Sequence, residues 1–193
     1  MDSKKTVIVI GSNSGIGSKI IKYFSKKNQV YLTYRKNRPS NIKGFNFLKL
    51  DLNNLKTLEK CLNKIRVNNR KLIILNLAAL KIDKLSFDVT NKNLNDVFNI
   101  NTFAFLKIIQ YFLPTMMKNK WGRVISFSST GGSVGERGTL LYTSSKNATH
   151  SMIQVMSQEF AKFNITFNTI KLGNFDAGLF KKLNDEMKEK ILK

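Results

Sequence analysis

TVIVIGSNSGIG, the stretch from Thr6 to Gly17, decides the fold. Thr6 to Ile10 is a short, β-branched, apolar run, as expected of a strand buried on both faces of a parallel sheet. Gly11, Ser12, Asn13, Ser14, Gly15, Ile16 and Gly17 then turn the chain. Glycine at such positions permits a tight turn, a close backbone approach, and close packing of the next helix on the strand. Ile16, Ile20, Ile21 and Phe24 follow on one helical face. The first turn of that helix offers unpaired N–H groups and the positive end of a dipole, which suits a phosphate.

Working outward, residues 30–34, 45–50, 72–75, 122–127 and 165–170 read as five more strands. Leu55, Leu58, Leu62 and Ile65 mark a helix between two of them. Residues 94–117 read as one long helix, with Pro114 near its end where a kink is tolerable. Residues 142–163 read as another, and the charged residues 181–192 as a last one. The alternation predicts an α/β fold, a Rossmann-like doubly wound parallel sheet of about six strands with helices on both faces. Residues 1–193 are expected to form a single domain, because no linker or repeat interrupts them.

No apolar run approaches the roughly 20 residues of a membrane helix, and Met1 to Lys5 is polar, unlike a signal peptide. The single cysteine, Cys61, has no intrachain partner and reads as a small buried apolar residue in a reducing, cytoplasmic setting. The net charge is +21, from 33 Lys and Arg against 12 Asp and Glu. Such a field attracts anions, including nucleic acid. Here the charge is mostly lysine spread through every segment, so a solvated surface or an acidic partner is expected rather than nucleic acid. Nucleic-acid binding would show affinity falling steeply with salt.

Tyr142-Thr143-Ser144-Ser145-Lys146 sets a phenol and an ammonium on one helical face. Lys146 is expected to lower the Tyr142 pKa from about 10, making it a general acid or base near neutral pH. Ser129 lies thirteen residues earlier, with Ser128 as the adjacent alternative, and Asn101 lies in the long helix. After the second strand, Thr33-Tyr34-Arg35-Lys36 has no acid to bond ribose hydroxyls. The fork of Arg35 suits a ribose 2′-phosphate instead, which favours NADP(H), with NAD(H) as the alternative.

The Gly-x3-Gly-x-Gly spacing, the ordered set Asn101, Ser129, Tyr142 and Lys146, and Gly122-Arg123-Val124-Ile125 together resemble the short-chain dehydrogenase/reductase family over nearly the whole chain. The resemblance implies an oxidoreductase interconverting a carbonyl and an alcohol, with those four residues as its catalytic tetrad. In it Tyr142 exchanges the proton, Ser129 orients the carbonyl oxygen, Lys146 binds nicotinamide ribose, and Asn101 helps to hold a relay water. It further implies cofactor contacts at Gly11 to Gly17, Arg35, Asp51, Leu52, Asn76, Ala78, Tyr142, Lys146 and Gly173. Some similarity to 3-oxoacyl-acyl-carrier-protein reductases points to a small or carrier-bound substrate. Pairing of the helices at 94–117 and 142–163 with a partner's copies would give a homodimer or homotetramer.

Several positions depart from the family pattern. Leu77 and Ala79 stand in Asn76-Leu77-Ala78-Ala79 where Asn and Gly are usual, and Ala177 stands near a usual threonine. The family normally continues past the length seen here, so strand six is expected at an exposed edge. A non-catalytic dinucleotide-binding protein, or an inactive fragment of a reductase, is the competing expectation.

Overall fold

The computed structural model describes residues 4–24, 28–38, 44–68, 71–130 and 135–173. Six strands, β1 (Lys5–Ile10), β2 (Gln29–Tyr34), β3 (Asn46–Lys49), β4 (Lys71–Asn76), β5 (Gly122–Ser129) and β6 (Ile165–Leu172), form one sheet. All pairs are parallel and the order is β3-β2-β1-β4-β5-β6. The chain builds outward from β1 to β3, then crosses back to β4 on the other side of β1. The connections therefore diverge above the C-terminal ends of β1 and β4, where Ile10 lies opposite Asn76. Open α/β sheets place their ligand crevice at such a switch point.

Alternation along the strands feeds two cores. Ile8, Ile10, Leu72, Ile74, Val124 and Phe167 point to one face, which is covered by α2 (Leu55–Leu62), α4 (Ala104–Lys118) and α5 (Leu140–Phe160). Val7, Val9, Leu32, Leu75 and Phe127 point to the other, against Ile20, Ile21 and Phe24 of α1 (Gly17–Phe24). The doubly wound reading is thus the observed architecture.

The long helix expected at 94–117 is corrected. It is α3 (Asn91–Phe98), a π-helical turn (Asn99–Phe103) and α4. Its start lies earlier because Thr90 and Asn93 form a reciprocal capping box, with the Thr90 hydroxyl accepting from the Asn93 N–H. The π turn takes one extra residue without disturbing the apolar face, so periodicity alone does not register it. α5 also gives way early, to a 3₁₀ turn (Ala161–Phe163), and Asn164 at φ 56° turns the chain into β6. Asparagine tolerates that left-handed conformation better than most residues.

β6 pairs with β5 from Ile165 to Leu172, and among the described residues no strand lies on its outer side. The helix expected at 181–192 falls outside the described residues. No helix among the described residues is long and apolar enough to cross a membrane.

Candidate active site

The glycine turn is stitched to the second strand. Thr33, buried in β2, accepts hydrogen bonds at its carbonyl from the Ser12 N–H (3.1 Å) and the Ser12 hydroxyl (2.9 Å). Its hydroxyl accepts from the Gly11 N–H at 3.1 Å. Asn13 donates to the Asn37 carbonyl at 2.7 Å, which ties the turn to the loop carrying the exposed Arg35. Ser14 accepts from the Gly17 N–H at 3.0 Å and so closes the start of α1, while Ile16 packs on the α1-side core. The Ser18 hydroxyl reaches the Gly15 carbonyl at 3.4 Å.

Two glycines in this turn have no room for a side chain. A Cβ on Gly11, at φ +76°, would lie 2.7 Å from the Ala78 nitrogen. One on Gly17 would lie 2.5 Å from the Ser12 carbonyl oxygen. Gly11 thus lets the turn close directly over the backbone leaving β4. Asp51, past β3, accepts at Oδ1 from the Asn53 N–H (3.0 Å), and Leu52 packs on the α2-side core. Gly173 follows β6 and is exposed.

Tyr142 and Lys146 sit in the first turns of α5. Lys146 is 4 % exposed and its ammonium donates to the Phe127 carbonyl of β5 at 2.7 Å. It lies 5.8 Å from the centre of the Tyr142 ring. Asn101, in the π turn, grips the backbone beyond β4. Its Oδ1 accepts from the Leu80 N–H (2.7 Å), and its amide donates to the Leu80 carbonyl (2.9 Å) and the Ser145 hydroxyl (2.9 Å). Asn101 therefore stands beside the Tyr142–Lys146 turn with its side chain occupied. Ser129 ends β5, and neighbouring Ser128 is buried with its hydroxyl unpartnered. Asn76 is likewise buried with an unpartnered Oδ1. Asn76 and Ser128 lie at or near the C-terminal ends of β4 and β5, the end of the sheet at which the connections diverge.

The expected effect of Lys146 on Tyr142 is corrected. Burial pushes the Tyr142 phenol up, and burial also pulls the Lys146 ammonium down to about 8. Spacing fixed the neighbour correctly but says nothing of how much water is removed from both. Between pH 8 and the ordinary lysine value of 10.5, the unfolded chain holds a proton that the folded Lys146 has shed. Lys146 therefore makes stability rise with pH across that window, and its burial cost is complete below pH 8. Cys61, pushed by burial from 9.0 to about 11, acts in the opposite sense above pH 9. Comparing wild type with Lys146→Met cancels the cysteine. The difference in melting temperature is expected to move in the wild type's favour between pH 8 and pH 10. A pH-independent difference would contradict this.

The residues missed from sequence are those that brace the site: Thr33, Asn37, Leu80, Thr102, Ser145 and Thr149. They act through partners more than twenty residues away; Asn37 and Leu80 do so through backbone groups that carry no side-chain signal, and only the polar character of Thr33, Thr102, Ser145 and Thr149 within their elements hinted at a role.

The sequence model of the short chain dehydrogenase family matches residues 5–188. The chain is 29% identical over 194 residues to a 3-oxoacyl-[acyl-carrier-protein] reductase FabG of Buchnera aphidicola subsp. Schizaphis graminum, covering 94% of this chain and 78% of that protein. It is 28% identical over 193 residues to the same-named protein of Rickettsia prowazekii, covering 97% and 80%. Among solved structures, one described as ElxO with NADP bound superposes with a TM-score of 0.81 at 24% identity, covering 96% of this chain and 79% of that one. A short chain dehydrogenase/reductase family protein reaches 0.86 at 20% identity, covering 96% and 81%. The chain belongs to the short chain dehydrogenase family and is an oxidoreductase that acts on CH–OH groups with NAD(P).

Proposed function

We propose that the protein is an NADP(H)-dependent reductase of 3-oxoacyl groups carried on an acidic carrier protein. The observation that carries this reading is the placing of Tyr142 and Lys146 on one turn braced against the backbone beyond β4, which in turn underlies Gly11. A dinucleotide fits this chain. Without side chains, Gly11 and Gly17 let the turn pack directly on the backbone at Ala78 and Ser12, which brings the start of α1 and its N–H groups to the switch point of the sheet. Residues 11–17 would hold the pyrophosphate, Asp51 and Leu52 the adenine, and Arg35 the ribose phosphate. Asn76, Ala78 and Gly173 would line the nicotinamide side.

When bound, the nicotinamide supplies the hydride equivalent. Tyr142 gives its phenolic proton to the substrate oxygen, and a phenol held protonated by burial is a suitable acid. The Ser129 hydroxyl donates to that oxygen and stabilises its charge. An ammonium has three donors, and with one on Phe127 the other two of Lys146 serve the ribose hydroxyls. Asn101 places this turn.

The relatives named as 3-oxoacyl-acyl-carrier-protein reductases and the net charge of +21 support a carrier-bound substrate. The neighbour with NADP bound supports the cofactor. Exposed Leu94, Phe103, Tyr111, Leu140 and Val155 on α3 to α5 support a homodimer or homotetramer, and the lone buried Cys61 supports a cytoplasmic setting.

Fluorescence titration with NADPH and NADH, followed by NADPH oxidation with a 3-oxoacyl carrier protein, tests the reading. Arg35→Ala is expected to weaken NADPH binding about tenfold and leave NADH within about twofold. Equal loss for both cofactors would remove Arg35 from the phosphate site. No turnover of the carrier substrate by folded, NADPH-bound protein would remove the substrate.

A further inference from the structure

The π turn meets α5 through four polar side chains that are almost wholly buried. Ser145 is 0 % exposed, Asn101 1 %, and Thr102 and Thr149 2 %. Ser145 accepts from the Asn101 amide and donates its own proton to the Tyr142 carbonyl at 2.8 Å. The Ser145 carbonyl has two hydroxyls in reach, Thr102 at 3.0 Å and Thr149 at 2.9 Å. Thr149 also lies 3.0 Å from the Asn101 carbonyl and 3.2 Å from the Thr102 hydroxyl.

A hydroxyl has one proton to give. Only one of these arrangements gives both carbonyls a hydroxyl donor: Thr102 donates to Ser145, and Thr149 donates to Asn101. The turn that carries Tyr142 and Lys146 is therefore held to the π turn from two sides, and Asn101 carries that hold on to Leu80. Thr149 lies one turn beyond Lys146 and bonds to none of Tyr142, Lys146 or Ser129 in these contacts.

We propose that Thr149 is a positioning residue for the Tyr142–Lys146 pair, acting by its hydroxyl on the Asn101 carbonyl. This rests on the reading of that pair as catalytic. Thr149→Val keeps the shape and removes the donor, leaving the carbonyl without it in a dry interior. Thr102→Val reaches the same state by another route. It removes the Thr102 hydroxyl from the Ser145 carbonyl, draws the Thr149 hydroxyl onto it, and leaves the Asn101 carbonyl without a hydroxyl donor. Each single substitution removes the hydroxyl bond to the Asn101 carbonyl, and the double variant removes the one to Ser145 as well; because the positioning runs through Asn101, the effects on kcat are expected not to add.

The test is steady-state kinetics with NADPH and a 3-oxoacyl substrate on folded variants. Each single variant is expected to lower kcat about tenfold, with the KM for NADPH within about twofold, because small misplacements of reacting groups cost rate. The double variant is expected to stay near tenfold rather than reach about a hundredfold, and Thr149→Ser to keep kcat within about twofold. Additive losses, failure of the serine to rescue, or a wild-type kcat in Thr149→Val would each overturn the proposal. Should Thr149→Val fold poorly, Thr102→Val against Thr149→Ser carries the same contrast. Tyr142→Phe separates the two levels. If it stays active the pair is not catalytic and the positioning role falls with it. If it is inactive while Thr149→Val is fully active, only the positioning role falls.

Discussion

Tyr142→Phe is expected to leave a folded protein that binds NADPH normally and turns over about a thousandfold more slowly. The substitution removes one oxygen from a half-buried ring at the start of α5 and leaves the helix intact. General acid–base groups contribute about a hundredfold to ten-thousandfold, and no other described phenol stands on this turn to replace it. Burial without the cofactor pushes the phenol up, so at neutral pH it carries the proton that reduction needs. The Lys146 ammonium, bonded to the Phe127 carbonyl in β5, does not depend on the phenol for its place. Cofactor affinity should therefore survive while the chemical step fails. Titration and single-turnover reduction on the same preparation check this. A rate within tenfold of wild type would move the proton to another group.

Gly11→Ala is expected to cost about 3 kcal/mol, lowering the melting temperature by about 6–12 °C, and to abolish dinucleotide binding. Two separate penalties meet at this position. The backbone at φ +76° is strained for any L side chain, and the new methyl would lie 2.7 Å from the Ala78 nitrogen, which is backbone and cannot rotate away. Gly44 provides the control. It has φ +84° and nothing within 4 Å of where a methyl would sit, so Gly44→Ala carries the strain alone, about 1 kcal/mol. Thermal melts of both variants separate the terms. Equal losses would mean that the contact with Ala78 relaxes without cost, and the turn would then be softer than the geometry implies.

The legible parts of this molecule are those where neighbours in sequence are neighbours in space. β1, the glycine turn and α1 form one such block, and the six-strand parallel sheet followed from repeating it. The i, i+4 relation of Tyr142 and Lys146 was equally local. What the sequence hid was carried by distant partners. Thr33 reaches back more than twenty residues to Gly11 and Ser12, and Thr149 reaches back further still, to Asn101. The π turn was hidden for another reason, since an extra residue in one turn leaves Val97, Ile100, Phe105 and Ile108 all facing inward. The direction of the Tyr142 shift was misread because proximity is encoded in spacing, whereas loss of water depends on the whole surrounding fold.

Cys61 gives the fold an internal gauge of local opening. It is the one cysteine of the chain, 2 % exposed on α2, in the core shared with α4, with its thiol pushed to about 11. Near neutral pH such a thiol is neither reachable nor ionised, so an alkylating reagent modifies it only while α2 is lifted from α4. When reclosing is fast, the labelling rate divided by that of a free thiol is the equilibrium constant for this opening. α2 is joined to the chain leaving β3 through Thr57, whose hydroxyl donates to the Asp51 carbonyl at 2.8 Å. The opening equilibrium of this flank of the sheet can thus be measured in the native sequence, with no residue changed.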